Sequence, residues 1–441
     1  MNPQKCSQIQ DAYRVSHVCR HWRQVAIDTR RLWTAPLEVA LPRYRRPAPG
    51  DDGVEAYVDG LRAWLARSEP LSIPIHITGL DNESWGTDSG SRVTNALLQS
   101  ASRWRSLRFA PFAPGWLLQR LIGRLDSLEE LELRRTVGDN SIPLAPATIL
   151  CFTVAPCLHK LTINPDPDIR PLPIPWVQLT DITLTAAISC EVFLDMFSHC
   201  INVVRASVII TGSSPRAAAG VLALDHLQVL SVSWATSHAD FGMRFLDYFS
   251  APALDKLHLR FMFKQDTKWR EATFAAFQGR SPNITKLKIS GSGLSMKSDA
   301  LIVTLQHAPS LTHLSVDDCC GTIDDVLLGA LRFTDEVEPL VPHLHSLTLA
   351  ISKPGFSHEK PLANLIASRW WTDADLMLRS EALIVHRWRQ IKLRDDSNHS
   401  RRDSGFKPGP KFRDRMKELQ QTDLAVDLVQ YSSWKSEGEV W

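Results

Sequence analysis

The sequence predicts an α/β array in which each repeat supplies a helix and then a short parallel strand. Three observations predict it. An apolar residue, two spacers, a second apolar residue, one spacer and a third apolar residue recur ten times between Trp104 and Leu349. The middle members of these triplets stand roughly 21 to 33 positions apart, about 27 on average, the period of stacked supersecondary repeats. Pro156, Pro252, Pro282, Pro309 and Pro342 each precede a triplet by two positions, where a proline turns a helix into a strand.

The triplets begin with Trp104/Leu107/Phe109, Leu128/Leu131/Leu133, Leu158/Leu161/Ile163, Leu179/Ile182/Leu184 and Val203/Ala206/Val208. They continue with Leu227/Leu230/Val232, Leu254/Leu257/Leu259, Ile284/Leu287/Ile289, Leu311/Leu314/Val316 and Leu344/Leu347/Leu349. Period-two geometry points the middle and last members into a core and leaves their neighbours outside. Phe193–Phe197, Phe245–Phe249 and Leu301–Leu305 are the helical stretches expected upstream of their strands. The period and spacing are those of leucine-rich repeats, so the fold expected is a solenoid of that kind. In that family an Asn or Cys three residues after the last strand position satisfies the turn. Cys319 fits that place, with Thr136, Asp166 and Gly291–Ser292 elsewhere.

Four regions follow: a helical segment over 1–40, a linker and divergent first repeat over 41–100, the array over 101–350 and an irregular basic region over 351–441. Pro42–Gly53 reads as linker, Tyr57–Ala66 as a helix and Leu71–Ile77 as an alternating strand. Beyond 350, Pro361–Trp371 is expected to be helical, His386–Lys417 to be a basic linker, and Phe412–Leu428 to form a capping helix.

At the N-terminus Val15, Val18, Cys19, Trp22, Val25 and Ala26 fall on one stripe of a helix, with Leu32 and Trp33 beyond it. The wording Val18-Cys19-Arg20-x-Trp22-Arg23-x-Val25-Ala26, then Thr29-x-x-Leu32-Trp33, resembles the second half of an F-box, as in fungal F-box proteins with leucine-rich repeats. Family members begin with a Leu-Pro-x-Glu turn and an Ile-Phe helix. Residues 1–14 carry neither, so a partial F-box is expected. The resemblance implies a substrate-recognition subunit of a Skp-cullin-F-box ubiquitin ligase. Val15, Val18, Cys19, Trp22, Val25, Leu32 and Trp33 would then meet the Skp-type adaptor and its cullin core. Two readings compete with it: the helix caps its own domain, or the chain is a repeat scaffold uncoupled from any ligase.

Composition narrows the field. The chain has 441 residues, 44% hydrophobic and 22% charged, with a formal charge of +2. That is a folded chain with no global field for nucleic acid or membrane. With no apolar leader after Met1, a cytoplasmic or nuclear protein is expected. The 8 cysteines lack Cys-x-x-Cys or zinc-site spacing and read as reduced, buried thiols. No cofactor, metal site or catalytic motif is expected; Gly291-Ser292-Gly293 is too short for a dinucleotide fingerprint.

The outward strand positions change sign along the array. Early ones carry Glu130, Glu132 and Asp181; later ones carry Lys256, His258, Arg260, Lys286 and Lys288. Adjacent strands about 4.8 Å apart would merge the last five into a basic patch for an acidic client segment. The competing reading is an ordinary solvated strand face. Likewise Arg and Lys around Trp388, Phe406 and Phe412 read as linker sooner than as a nucleic-acid surface, since Asp395, Asp396, Asp403 and Asp414 dilute them.

Overall fold

The apolar triplets form strands because one face of each has a core to bury against, and all thirty of their side chains are buried. The computed structural model describes residues 11–40, 52–78, 88–110, 115–133, 150–164, 173–212, 220–235, 243–262, 267–291, 294–317, 319, 321–351, 359–371, 385–395, 409–420 and 425–429. It falls into two units, Met1–Ala186 with Asp195–Val203, and Ala187–Leu194 with Val204–Trp441.

In the first unit β1 (Leu37–Ala40), β2 (Ile73–Thr78), β3 (Trp104–Ala110), β4 (Glu130–Leu133), β5 (Lys160–Ile163) and β6 (Asp181–Ser189) pair in chain order, all parallel. The register stacks Leu107, Leu131, Leu161 and Ile182. Its helices are α1 (Arg20–Asp28), α2 (Asp52–Arg67), α3 (Asp88–Leu98) and α4 (Gly115–Arg120). The helix α5 (Cys190–Ser198) spans the division of the chain.

In the second unit β7 (Arg205–Thr211), β8 (Val229–Trp234), β9 (Lys256–Phe261), β10 (Lys286–Ser290), β11 (His313–Asp317), β12 (Ser346–Ile351), β13 (Gln390–Asp395) and β14 (Ala425–Val429) pair in the same way. Ala206, Leu230, Leu257, Leu287, Leu314, Leu347, Ile391 and Val426 share one register line. Helices α6 (Glu271–Arg280), α7 (Ser298–Gln306), α8 (Asp325–Leu331), α9 (Glu359–Ser368) and α10 (Pro410–Gln420) each pack on the next. The architecture is therefore α/β with parallel sheet, and within each unit the strands named above pair with their neighbours in that order. Each buried Leu or Ile contributes about 1.5–3 kcal/mol, and no repeat could bury its triplet alone.

The prolines work through a shared turn. In Ala155-Pro156-Cys157-Leu158 the N–H of Leu158 donates to the Ala155 carbonyl at 3.1 Å; Leu254, Leu311 and Leu344 do the same to Ala251, Ala308 and Val341. Proline sits second in each four-residue turn, where its fixed φ is preset. Long polar side chains then satisfy the carbonyls of the preceding turn. Gln178 donates to Ala155 and Leu158, Arg280 to Leu246, Asn283 to Pro252, and Arg369 to Val341 and Leu344. Cys319 occupies the predicted place at the end of a strand, buried, with its thiol 3.3 Å from the Asp317 carbonyl. Thr136, Asp166 and Ser292 lie outside the described residues.

Several expectations need correction. The helix does not run unbroken from Val15 to Ala26. Residues 11–16 are helical, the chain turns at His17–Val18, and Cys19 caps α1 by accepting the Trp22 N–H. Arg23 Nε, donating to the Ser16 carbonyl at 3.0 Å, holds the turn. Among the described residues upstream of β5, β6 and β9 the helical element is a 3-10 turn: Leu150–Phe152, Trp176–Gln178 and Met243–Tyr248. Past 350 the basic segment contains a strand, β13, with Trp388, Ile391 and Leu393 buried at triplet spacing. The final helix stops at Gln420, and Ala425–Val429 pairs with β13 as a strand. Residues 42–51, most of the expected linker, and Phe406 lie outside the described residues. Among the described residues no helix is long and apolar enough to cross a membrane.

Candidate interaction surfaces

The N-terminal segment of the first unit has two faces. Trp33 is wholly buried with Ala12, Ala35 and Trp64, against Leu32 and Leu37. Its indole N–H donates to the Ala26 carbonyl at 2.7 Å, and the Arg67 guanidinium lies 4.5 Å from its ring centre. The rings of Trp33 and Trp64 meet edge to face at 4.9 Å, and Tyr13 closes on both. So α2, expected to begin a separate region, completes a core with residues 12–35. The other face is open. Val18 is 67% exposed, Trp22 50% and Val25 41%, spaced for one side of α1 and its preceding turn. Cys19 is exposed, Val15 and Leu32 half-buried. Arg20, Arg23, Arg30 and Arg31 are exposed nearby in sequence. Among the seven predicted adaptor residues, Trp33 points inward and Val18, Trp22 and Val25 outward.

On the strand face of the first unit, charges neutralise one another across neighbouring strands. Glu132 pairs with Arg108, and Lys160 Nζ lies 3.3 Å from Glu130. Opposite charges at directly facing positions add modest stability. The acidic early surface read from the sequence is therefore largely compensated.

In the second unit the five predicted cations separate into two kinds. The register sets Lys256 opposite Lys286 and His258 opposite Lys288, with Arg260 opposite Ser290. Lys288 Nζ lies 3.4 Å from Asp317 on β11, both largely buried. His258 sits between serines on both flanking strands, Nε2 3.1 Å from Ser290 Oγ and Nδ1 3.4 Å from Ser231 Oγ. Burial first, then Lys288 and Arg260, press its pKa down to about 3. At neutral pH it is an uncharged bridge within the sheet, not part of a basic patch. Lys256 and Lys286 differ, for neither has an ion-pair partner among the described residues.

Beside those two lysines runs a row of imidazoles. His313 is opposite Lys286 in register. Its ring centre is 4.8 Å from that of His345, which is 6.3 Å from that of His386; His343 lies 5.0 Å from His386. Burial, then Lys286, His345 and Lys256, push His313 down to about 4 against the opposing pull of Asp255. Burial, Arg389 and His386 likewise lower His345. The His345 Nδ1 atom is buried without a hydrogen-bond partner among the described residues. His313 stands one position before Leu314 and His345 two before Leu347, where the neighbouring strands β11 and β12 begin, and that placement is the signal that brings them together.

Among the described residues no group of three or more His, Cys, Asp or Glu side chains is arranged to hold a metal ion. Cys151, Cys190 and Cys200 are buried, which raises each thiol pKa to about 12, so they stay protonated. Cys19 and Cys157 depart from the expected burial and are exposed. No protein-family model matches this chain, and no curated protein matches it.

Proposed function

We propose that the chain is a substrate-recognition subunit of a Skp-cullin-F-box ubiquitin ligase, with a partial F-box at its N-terminus and a leucine-rich-repeat-like solenoid that binds clients. It has no chemistry of its own in this reading; it holds a client near the ligase. One observation carries the proposal: Val18, Trp22 and Val25 stand outward on a segment that Trp33 anchors inward. A large aromatic with two aliphatic neighbours in water is a characteristic association surface. The exposed arginines around it suit an adaptor with an acidic rim. The motif that resembles an F-box supplies the outward residues, and the parallel array of triplets supplies an extended face for a client. Mixing the full chain with a Skp-type adaptor and following complex formation by size-exclusion chromatography tests it. Co-elution at equal stoichiometry supports the reading; separate elution at micromolar concentration rejects it.

A second reading has its own support. The core of Ala12, Trp33, Ala35 and Trp64 serves equally as a cap that ends a repeat array. In a scaffold uncoupled from ligases the outward residues would face a different partner, and the adaptor would not co-elute.

A further inference from the structure

Where β9 to β13 begin, the second unit gathers cations without the acids that neutralise them on other strands. Lys288 has Asp317, and in the first unit Arg108 has Glu132 and Lys160 has Glu130. Lys256, Lys286 and Arg389 have no ion pair among the described residues. Lys256 and Lys286 nonetheless face each other directly in the sheet, an arrangement that costs stability when both are charged. His313 continues that line on β11. His345 packs on His313, and the backbone N–H of Arg389 donates to the His345 carbonyl at 2.8 Å. Among the described residues Asp255 faces His313, and its carboxylate accepts the Thr285 hydroxyl. Half-buried like charges that face each other, with no ion pair among the described residues, favour a negative ligand.

We propose that the edge formed by Lys256, Lys286, His313, His345 and Arg389, with His386 beside it, binds an extended acidic segment of a partner polypeptide. The size fits. Four strand steps of about 4.8 Å give a span of about 19 Å, the length of about six extended residues at about 3.3 Å each. A nucleic acid fits less well. The chain carries a formal charge of only +2, too little for the long-range attraction that phosphate-backbone binding uses. The imidazoles also pack on one another, so they offer no open platform for bases. The inference rests on the strand face being the client surface, and is independent of whether the adaptor binds.

The site also couples binding to protons. His313 faces Lys286, Lys256, His345 and Asp255; His345 faces Arg389, His386 and Lys286; His386 faces His343 and Arg389. Burial first, and then the cations among these neighbours, lower the imidazole pKa values, so the free rings are neutral near pH 7. An arriving carboxylate compensates the cations and favours protonated rings, so the segment binds tighter as pH falls.

Fluorescence anisotropy of a fluorescein-labelled decaglutamate peptide, titrated with the full chain at low salt, tests this. Expected is saturable binding that tightens from pH 7.5 to pH 6.0, by at most about tenfold per pH unit for each proton taken up. The Lys286→Gln/Arg389→Gln double variant should weaken it at least about fivefold, since each lost charge removes attraction across a partly dry surface. Lys288→Gln, which removes a cation already held by Asp317, should leave it within about twofold. Should the double variant fail to fold by circular dichroism, His345→Gln decides instead, abolishing most of the pH dependence. Absence of saturable binding, a flat pH profile, equal loss in Lys288→Gln, or equally tight binding of a labelled ten-nucleotide thymidine strand would each overturn the proposal. None of these readouts involves the adaptor, so a failed adaptor capture leaves them unaffected.

Discussion

Trp33 and Trp64 meet edge to face with ring centres 4.9 Å apart, although some thirty residues of chain separate them. This contact makes the N-terminal segment part of the first unit's core. Trp33→Ala should therefore lower unfolding stability by about 3–5 kcal/mol, the cost of emptying a large buried aromatic site. Trp22→Ala, on the exposed face, should change it by no more than about 0.5 kcal/mol. Urea denaturation followed by circular dichroism separates the two; equal losses would place Trp22 in the core as well.

Gly291, directly after β10, has φ of 135°, a conformation that side chains disfavour. A Cβ there would run into the Phe261 carbonyl oxygen on the neighbouring strand, and the Gly291 N–H donates to the Asp317 carbonyl at 3.1 Å. Gly291→Ala should lose at least about 1–3 kcal/mol through backbone strain alone. An unchanged urea midpoint would mean that the strand end relaxes freely.

Arg369 is fully buried without a carboxylate among the described residues that would hold it. Burial lowers its pKa to about 10, so it remains charged at pH 7. Its Nη1 donates to Val341 and Leu344 carbonyls at 2.9 and 3.4 Å, and its guanidinium lies 5.3 Å from the Trp388 ring centre. Arg369→Met fills similar space but leaves the Leu344 carbonyl without its side-chain donor and the Val341 carbonyl with the Leu344 N–H alone, at a cost of about 1–3 kcal/mol. A thermal midpoint equal to that of the parent would show that water takes the donor's place.

Acid should unfold the chain partly through His258. Its pKa is depressed to about 3 in the folded state, whereas an unfolded histidine titrates near 6.5. Between those values the unfolded chain binds the extra proton, so this contribution is complete above about pH 6.5 and is lost progressively as pH falls toward 3. His258→Gln can still bond Ser231 or Ser290, does not titrate, and should make the fall in thermal midpoint between pH 6.5 and 4 shallower. A variant with the parent's slope over that window would assign the acid sensitivity elsewhere.

The strands were legible because a triplet and a two-residue period survive any change in the loops between them. Trp388/Ile391/Leu393 has the same spacing, yet Arg387, Arg389, Lys392 and Arg394 around it made the segment read as linker. In the structure Trp388 packs beside Arg369, a contact that local pattern does not contain. Helices shortened to 3-10 turns, as at Trp176–Gln178, are too brief for a 3.6-residue period to register. At the candidate surfaces, apolarity alone marked Trp22 and Trp33 alike. What turns Trp33 inward is Trp64, distant in sequence. Charge alone marked Lys286 and Lys288 alike, and only the strand register brings Asp317 to Lys288 and the imidazoles to Lys286.

The most direct measurement of the proposed ligase coupling is the affinity of a Skp-type adaptor for the full chain and for Trp22→Ala, by calorimetry, beside the thermal midpoint of each. The account predicts micromolar or tighter binding by the parent and a loss of more than about 2 kcal/mol, roughly thirtyfold, in the variant, with midpoints that coincide. Adaptor affinity unchanged by Trp22→Ala, or absent in the parent, would contradict it.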